Sequence, residues 1–483
     1  MATRQKVTYW GLSFLLGIFA ASSGWNFYLT SLVFLIGLFT LRGFFKINIG
    51  ENSKHPRILP SAGMFFVGSV VFLILGFFYF YFFFNFTNRA ENIPISEKSI
   101  VIGVLTKNPE EKETYQKLTV ELQAPEHGRI TVLTDALIRF DYGDIVKLDG
   151  KIEKSQFKNQ PPISFFPKIE VQAKNQGHWL KTQLYGLKNH LIGQFKKQLS
   201  RDKAALVAGI TFGEKSEFTE KLKTDMARSG VTHIVALSGY NIAILALAIE
   251  RSLKKLVSRQ KRFYITLGLI FLFVIMVGGE ASVVRAAIMG SLILLAGHIG
   301  RVHDTLHIII LTALVMVLVN PGVLAFDIGF QLSFLSLLGI VYLEPVLKKL
   351  LRVKDKKEES FLAWQENGVT TVAAQLAVIP ILILNFNQFS LSAIFANTFI
   401  LLTIPFTMFL GFLLSALSSI SFLLGFFVAQ LLSLLAFYQL AVIKIFSLIY
   451  LPLPGSQFLN HSIVFIIYYG FLLALVLKNH EKS

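Results

Sequence analysis

Residues 61–86 read SAGMFFVGSVVFLILGFFYFYFFFNF, a run of 26 residues without a charged side chain. A hydrocarbon core about 30 Å thick is crossed by a helix of about 20 apolar residues, so this run is long enough to span a bilayer. In the 483-residue chain, 53% of the residues are hydrophobic, 46 are Phe and only 16% are charged. Soluble domains carry about 25% charged residues, so the composition excludes one large water-soluble globule.

Further apolar runs predict a polytopic α-helical membrane protein with about 11–12 transmembrane helices. The first run follows Arg4 and Lys6, as in a secretory signal peptide. Two more apolar runs follow without a small-residue cleavage site, so we interpret it as the first helix. Besides 61–86, the predicted spans are 9–21, 27–45, 231–249, 263–278, 281–299, 305–319, 327–343, 361–384, 391–418, 420–439 and 462–477.

Basic residues in the loops orient the protein. The loops at 42–57, 250–262 and 348–357 hold 4, 6 and 6 Lys or Arg, and all fall on one side if the N terminus is inside. Because such loops stay in the cytoplasm, we predict cytoplasmic N and C termini and place residues 88–230 outside. Much of the net charge of +17 is then orientation charge, and the absence of cysteine excludes disulfides and Cys-based metal sites.

Between residues 88 and 177 the pattern changes to short alternating runs separated by Asn, Pro and Gly. Five predicted strands, at 100–106, 116–123, 130–134, 145–152 and 169–173, suit a small extracytoplasmic β-barrel of the OB type. Other five-stranded barrels have the same periodicity. Residues 89–174 carry 13 Lys or Arg against 13 Asp or Glu, so the domain is not an evident nucleic-acid clamp.

Residues 178–230 form a basic connector, with 10 Lys or Arg against 5 Asp or Glu. A helix over 178–200 has a basic face and Trp179 near its start, which is typical of a helix in the membrane interface. Docking of its apolar stripe on the transmembrane bundle is the alternative. The stripe consists of Leu180, Leu184, Leu187, Leu191, Phe195 and Leu199. The candidate interface residues are Lys181, Lys188, Lys196, Lys197 and Arg228.

Polar residues form three clusters at predicted spans, where ionisable groups are costly and each is a candidate functional site. The first cluster is His233, Ser238, Gly239 and Asn241, the second is Glu280, Ser282 and Arg285, and the third is Asp327, Gln331 and Ser333. The structural alternative is that Glu280 pairs with Arg285 or Asp327 and pins the helices together. Asp327 and Gln331 are four residues apart and are predicted to share a helix face. Three clusters in neighbouring spans favour a shared hydrated path. Its candidate residues are His233, Ser238, Asn241, Glu280, Arg285, Asp327 and Gln331.

Motifs for an enzyme, a motor or a metal site are not supported. Residues 209–216 (GITFGEKS) look like a phosphate-binding loop, but Glu214 stands where Lys should follow the last glycine. The His and Asp residues at 303–307 lie at a helix start, where they are usually caps or surface groups. Ser238 lacks the glycine two residues before it that a nucleophile elbow uses, so we expect no catalytic pair with His233. We also expect no enzyme activity and no cofactor.

The polar stretches resemble the competence domain of the ComEC family. The resemblance rests on residues 209–216, on 227–242 (ARSGVTHIVALSGYNI), on 280–289 (EASVVRAAIM), and on RVHD at 301–304 with DIGFQLSF at 327–334. The barrel is similar to the family's N-terminal OB-like domain. That family contains membrane channels thought to pass single-stranded DNA into bacteria, so the resemblance implies a plasma-membrane channel for DNA uptake in natural transformation.

The resemblance also assigns roles and partners. The barrel and the basic connector would guide a DNA strand, Arg285 would attract phosphate, and polar side chains of the clusters would replace lost water hydrogen bonds. Many family members have His where this chain has Asn241, which cannot titrate near neutrality. Longer members carry a metallo-β-lactamase-like nuclease domain whose His-rich motif is absent here. A separate nuclease and a cytoplasmic translocation motor are therefore the expected partners.

The predicted organisation is N-terminal spans in 1–87, the OB-like domain in 88–177, the connector in 178–230, the competence-type core in 231–343 and C-terminal spans in 344–483. A transporter for a small solute or a lipid-linked substrate, or a membrane scaffold, is the alternative function. The neutral charge of the barrel favours that alternative somewhat.

Overall fold

The computed structural model describes residues 2–24, 62–90, 92–95, 98–111, 114–155, 161–235, 237, 239–300, 304–351, 353, 364–386, 392–449 and 462–480. Its contacts define two compact units. One comprises Met1–Ile93 with Ser291–Gln331, and the other comprises Pro94–Gly290 with Leu332–Ser483.

Helices, most of them apolar, make up most of the described chain. They are α1 (Ala2–Ser22), α2 (Ala62–Ala90), α3 (Trp179–Gln198), α4 (Arg201–Phe212), α5 (Glu220–Ser229), α6 (Thr232–Val235), α7 (Gly239–Leu253), α8 (Arg259–Met276), α9 (Ala281–Ile299), α10 (Thr305–Val319), α11 (Val323–Phe326), α12 (Ile328–Leu350), α13 (Trp364–Phe386), α14 (Ala393–Leu401), α15 (Ile404–Ile420), α16 (Phe422–Leu448) and α17 (Ser462–His480).

The predicted helical membrane class is confirmed. Within the described ranges, five helices are long and apolar enough to span a membrane, or six if the bent pair of α14 and α15 counts as one span. The predicted runs at 231–249 and 391–418 are not single helices, because each is broken near its middle or start. The predicted span at 27–45 lies outside the described residues.

The barrel has the closed five-strand topology expected of an OB-like domain. Its strands are β1 (Lys98–Leu105), β2 (Glu110–Glu111), β3 (Tyr115–Leu122), β4 (Gly128–Asp135), β5 (Ile145–Glu153), β6 (Ile163–Phe165) and β7 (Lys168–Ala173). The order β1-β3-β4-β6-β5 closes because β5 also pairs with β1. The pair β4–β6 is parallel. Strands β6 and β7 both pair antiparallel with β5, β6 near its end at Ile152 and Glu153 and β7 along Ile145–Asp149. The sequence pattern missed β2 and β6, which are only 2 and 3 residues long.

A tight joint connects the barrel to α3. The ring of Tyr142 packs edge-on against Tyr185 of α3 at 5.2 Å, and its hydroxyl accepts a hydrogen bond from the backbone N–H of His178. Gly143 has φ +85°, and a Cβ there would stand 2.4 Å from the backbone N of Gly177. Asp144 is buried and accepts backbone hydrogen bonds across the turn. The Tyr-Gly-Asp sequence is therefore required by the geometry of the joint.

Two glycines allow α1 and α2 to cross closely in the first unit. A Cβ at Gly17 would stand 2.1 Å from the carbonyl oxygen of Leu73, and one at Gly76 would stand 2.2 Å from that of Phe14. Small residues at such crossings bring the two backbones together, which is how helices associate in lipid. The tyrosine hydroxyl of Tyr79 then donates to the carbonyl of Leu318 on α10.

The buried face of α3 differs from the predicted stripe. It consists of Tyr185, Lys188, Ile192, Gln194 and Phe195. Leu187, which belongs to the predicted stripe, is 48% exposed. The helix is rotated because its rings pack on Tyr142 at one end and on Phe212 of α4 at the other. Lys188, expected on an exposed basic face, is therefore buried within the second unit.

Helix α4 lies in the core of the second unit. Every residue from Ala204 to Phe212 is buried. Ile210 belongs to a core cluster that also contains Met226 of α5, Ile404 of α15 and Ile443 of α16. Because α4 is surrounded by apolar side chains, its carboxyl end lies inside the second unit. The candidate site is formed around that end.

Candidate functional site

Three breaks in the helices occur beside one another in the second unit. Helix α4 ends at Gly213 with φ +72°, and α8 is followed by Gly278 and Gly279 with φ +92° and +65°. The third break separates α6 from α7. Helix ends leave backbone carbonyls and N–H groups without intrahelical partners, so polar side chains are needed here.

Asn241 of α7 supplies one of those partners. Its side chain is 1% exposed, and Nδ2 donates to the carbonyl of Ile210 at 3.0 Å. That carbonyl is among the last four of α4, which have no intrahelical donor. Asn241 therefore caps α4 from a neighbouring helix, which gives its amide a structural role at a position where a polar path was predicted.

The first two predicted clusters meet at the α6–α7 break. Ser282, in the first turn of α9, donates its hydroxyl proton to the carbonyl of Leu237 at 2.9 Å. A Cβ at Gly239 would stand 3.6 Å from Nη2 of Arg285 and from Ala286. Ser238 itself lies outside the described residues. The start of α7 and the first turns of α9 are thus brought together.

Arg285 is the central cation of this site. Its side chain is buried, with 9% relative exposure, and Cζ lies 5.8 Å from the centroid of the Phe334 ring. Nη1 is buried and has no hydrogen-bond partner among the described residues. A guanidinium has five N–H donors, and leaving one unpaired in the interior is costly. The arrangement suits an anionic ligand or water beside Arg285.

Glu280 does not neutralise Arg285, contrary to one of the two pairings considered above. Its Oε1 lies 3.4 Å from Nζ of Lys215 in the α4–α5 loop. That loop is held twice more, by Lys188 to Glu214 at 2.7 Å and by Lys196 to Glu217. Glu214 and Lys215 were not among the candidates predicted from the sequence, because the segment at 214–223 (EKSEFTEKLK) is charged throughout and no local pattern distinguishes these two residues.

The environment of Glu214 favours its ionised form. Burial alone would raise the pKa of its carboxyl group, but the charge and hydrogen bond of Lys188, together with hydrogen bonds from Ser216, outweigh burial. The backbone N–H of Ser216 donates one of these hydrogen bonds, and the resulting pKa is below the usual value for Glu. The α4–α5 loop is therefore fixed by a charged contact in the protein interior.

The third predicted cluster belongs to the other unit and closes its own helix junction. Oδ1 of Asp327 accepts from the backbone N–H of Phe330 at 3.0 Å, so Asp327 is the N-cap of α12 and does not lie on its face. Gln331 donates to the carbonyls of Leu324 and Ala325 at the end of α11. These contacts satisfy both helix ends at the junction.

The remaining predicted residues lie on exposed positions. Lys181 and Lys197 of α3, Arg228 of α5 and His233 of α6 have exposed side chains. Nζ of Lys181 lies 5.8 Å from the Tyr142 ring centroid at the barrel joint. Lys196 is exposed and is paired with Glu217. The predicted interface or guiding role of the lysines and Arg228 stays a prediction, and so does the predicted lining role of His233.

Within the described part of the chain, no group of three or more His, Asp or Glu side chains is placed to hold a metal ion. Asp304 caps α10 through the N–H of Leu306 and pairs with His307 at 3.0 Å. These contacts are the cap role that the sequence analysis assigned to residues at this helix start.

The apolar helices define a multi-pass membrane protein that carries a small β-barrel. Its candidate site is the buried guanidinium of Arg285 beside a helix break. The chain belongs to the competence protein family, whose family model matches residues 210–481. This confirms the resemblance to ComEC proteins. Over 288 residues the chain is 28% identical to ComE operon protein 3 of Bacillus subtilis (strain 168).

That match covers 56% of this chain and 35% of the relative, so the matched segment spans about a third of the relative's length. No solved structure gives a significant match to the chain.

Proposed function

We propose that the protein conducts single-stranded DNA across the bacterial plasma membrane during natural transformation. Membership of the competence family supports a role in DNA uptake, and the multi-pass helical architecture supports a membrane conduit. In this proposal both chain termini are cytoplasmic and the OB-like barrel is extracytoplasmic, as the distribution of basic loops predicts.

Arg285 carries the proposal. A guanidinium that is buried, stacked on an aromatic ring and without a carboxylate partner among the described residues keeps its positive charge available. Phosphate is an anion that Arg binds well, because the planar fork of its guanidinium matches two phosphate oxygens. Passing phosphates would supply the missing partner of Nη1 in turn, without a permanent ion pair to break.

The other polar residues serve this site in different ways. Asn241 and Ser282 hold the broken helices in register, and Ser238 is proposed to offer a hydrogen bond to the strand in place of water. Glu280 holds the α4–α5 loop through Lys215 and stays away from phosphate, since like charges repel. The predicted lining role of Asp327 and Gln331 stays a prediction.

Guidance and energy come from elsewhere in the proposal. The exposed basic residues Lys181, Lys197 and Arg228 attract the strand toward the membrane by long-range electrostatics. We propose that a cytoplasmic motor pulls the strand and that a separate nuclease degrades its complement.

The test is DNA entry into transformable cells that carry Arg285→Ala at normal membrane abundance. We expect uptake to fall about 10- to 100-fold, since a charge-assisted hydrogen bond is worth about 1.5–3 kcal/mol. Arg285→Lys keeps the charge and should fall in between. The matched control is Arg251→Ala, which removes an exposed arginine from the end of α7. Unchanged uptake with Arg285→Ala would overturn the proposal.

Transport of an anionic small solute or a lipid-linked substrate is the second candidate, favoured by the equal numbers of basic and acidic residues in the barrel segment. The two functions differ in their salt response. Binding of an oligonucleotide to the purified protein weakens steeply with ionic strength because counterions are released. A nearly salt-independent affinity for DNA would favour the solute transporter.

A further inference from the structure

Helices α14 and α15 form one apolar segment with a break in the middle. Their axes bend by 48° between Leu401 and Ile404, and Pro405 stands in the first turn of α15. A break of this kind leaves carbonyls at the end of the first helix without intrahelical donors. In membrane transporters, helix ends and unwound carbonyls of interrupted spans coordinate small cations.

A buried amide from α16 is placed at this break. Gln439 is 0% exposed, and its Nε2 donates to Oγ1 of Thr403 at 2.8 Å and to Oγ1 of Thr407 at 2.7 Å. The neighbouring side chains Ile404 and Ile443 belong to the apolar core cluster. The amide is therefore a polar group placed in apolar surroundings, where each of its atoms needs a partner.

The hydrogen-bond directions fix the orientation of the amide. Thr403 donates its hydroxyl proton to the carbonyl of Ile400 at 2.7 Å, and Thr407 donates to the carbonyl of Thr403 at 3.1 Å. Since each hydroxyl has one proton, both meet Gln439 as acceptors, and the amide must present its NH₂ group to them. Oε1 of Gln439 then has no donor among the described residues.

We propose that a small monovalent cation of the Na⁺ class binds at the α14–α15 break, with Oε1 of Gln439 as one of its ligands. Every proton of the Gln439–Thr403–Thr407 cluster is already committed, so the cluster offers lone pairs and no donor. A cation needs only oxygen lone pairs, whereas a water molecule is best held by donors as well as acceptors. These three side chains are uncharged, which suits a monovalent ion; hard divalent ions recruit carboxylates.

This inference is independent of DNA transport and concerns a different part of the second unit from Arg285. A bound cation would hold α14, α15 and α16 together at the break. Its release would free the two half-helices to change their angle, so the ion would bias the conformation of this segment.

The experiment measures thermal unfolding of the purified full chain in detergent, in NaCl or choline chloride at equal ionic strength. A ligand that binds only the folded protein raises its stability with concentration, so we expect NaCl at about 100 times its Kd to raise the midpoint by about 2–3 °C over choline. Gln439→Leu should abolish the difference. Thr312→Val is the control, because it also removes a fully buried polar group, here a hydroxyl in the first unit. This variant should keep the Na⁺ effect.

A second variant keeps the proposal testable if Gln439→Leu does not fold. Gln439→Glu retains the size of the side chain and adds a negative charge, so the Na⁺-specific shift should increase above the Glu titration range. Equal midpoints in NaCl and choline for the unmodified protein would show that the break holds water only. A Na⁺ effect that survives in Gln439→Leu or fails to grow in Gln439→Glu would place the ion elsewhere. Either result overturns the proposal.

Discussion

Breaking the ion pair between Lys188 and Glu214 should destabilise the protein far more than removing an exposed charge from the same helix. The Nζ and Oε2 atoms are 2.7 Å apart, and the side chains are 9% and 26% exposed. At that distance and an effective dielectric constant of about 20, the attraction is about 6 kcal/mol before desolvation is subtracted. Removing one partner of a buried pair costs about 3–5 kcal/mol. Since Glu214 keeps some contact with solvent, we expect about 3 kcal/mol for Lys188→Met.

A double-mutant cycle measures the pair itself. The midpoint of thermal unfolding in detergent should fall by about 3 °C in Lys188→Met, because the entropy of unfolding grows with chain length and this chain has 483 residues. Lys188→Met combined with Glu214→Gln should recover most of that loss, because no unpaired charge remains. Lys197→Met, on the exposed side of α3, is the control and should change the midpoint little. Equal effects of Lys188→Met and Lys197→Met would refute the reasoning.

Acid should weaken the protein through the same carboxylate. The pKa of Glu214 is lowered in the folded state, so its contribution is present above the ordinary Glu value of about 4.5. That contribution disappears as the pH falls through the lowered folded-state pKa. In Glu214→Gln this part of the acid limb should be missing, so the midpoint should depend less on pH below the ordinary Glu range than in the unmodified protein.

Three further substitutions test the fold. Gly76→Leu should lower the unfolding midpoint, because its side chain would meet the Phe14 carbonyl and cost about 1–3 kcal/mol of stability. Gly470→Ala is the control, because a side chain there has open space and should leave the midpoint unchanged. Gly143→Ala should make the chain between β7 and α3 cleavable by added protease, because strain and the 2.4 Å contact open the joint. Asp327→Ala should remove the N-cap of α12 and lower the free energy of unfolding by about 1 kcal/mol, whereas Asp327→Asn should keep the cap. Reduced DNA uptake in a stable Asp327→Asn variant would indicate that the charge of Asp327 has a role.

Local signals explain why the sequence predicted the helices and the barrel well. The runs at 281–299 and 305–319 have the bounds of α9 and α10, because an apolar run between polar loops defines a helix without further information. Strand alternation located the five longest barrel strands in the same way. The short strands β2 and β6 form only because long-range pairing holds them, so no local pattern marked them.

The site was less predictable because its contacts are tertiary. The pattern identified Arg285 and Asn241 as polar residues in apolar surroundings, but it could not show that Asn241 caps Ile210 from another helix. Lys188 was expected on a solvated face, since its buried partner Glu214 follows a whole helix later. The sequence pattern did not single out Gln439 among the 27 residues of an apolar helix, because its contacts are with Thr403 and Thr407 at the break between α14 and α15.

Chemical labelling of a single introduced cysteine tests the central claim, since the chain has none of its own. Gly239→Cys places a thiol near Nη2 of Arg285 with ordinary contact distances. Phe437→Cys is the control for a position expected to face lipid, because Phe437 on α16 is 60% exposed. We predict that a charged, membrane-impermeant thiol reagent labels Gly239→Cys in intact membranes, and that single-stranded oligonucleotide slows this labelling. Labelling no faster than at Phe437→Cys, and unaffected by DNA, would contradict a wet DNA path beside Arg285.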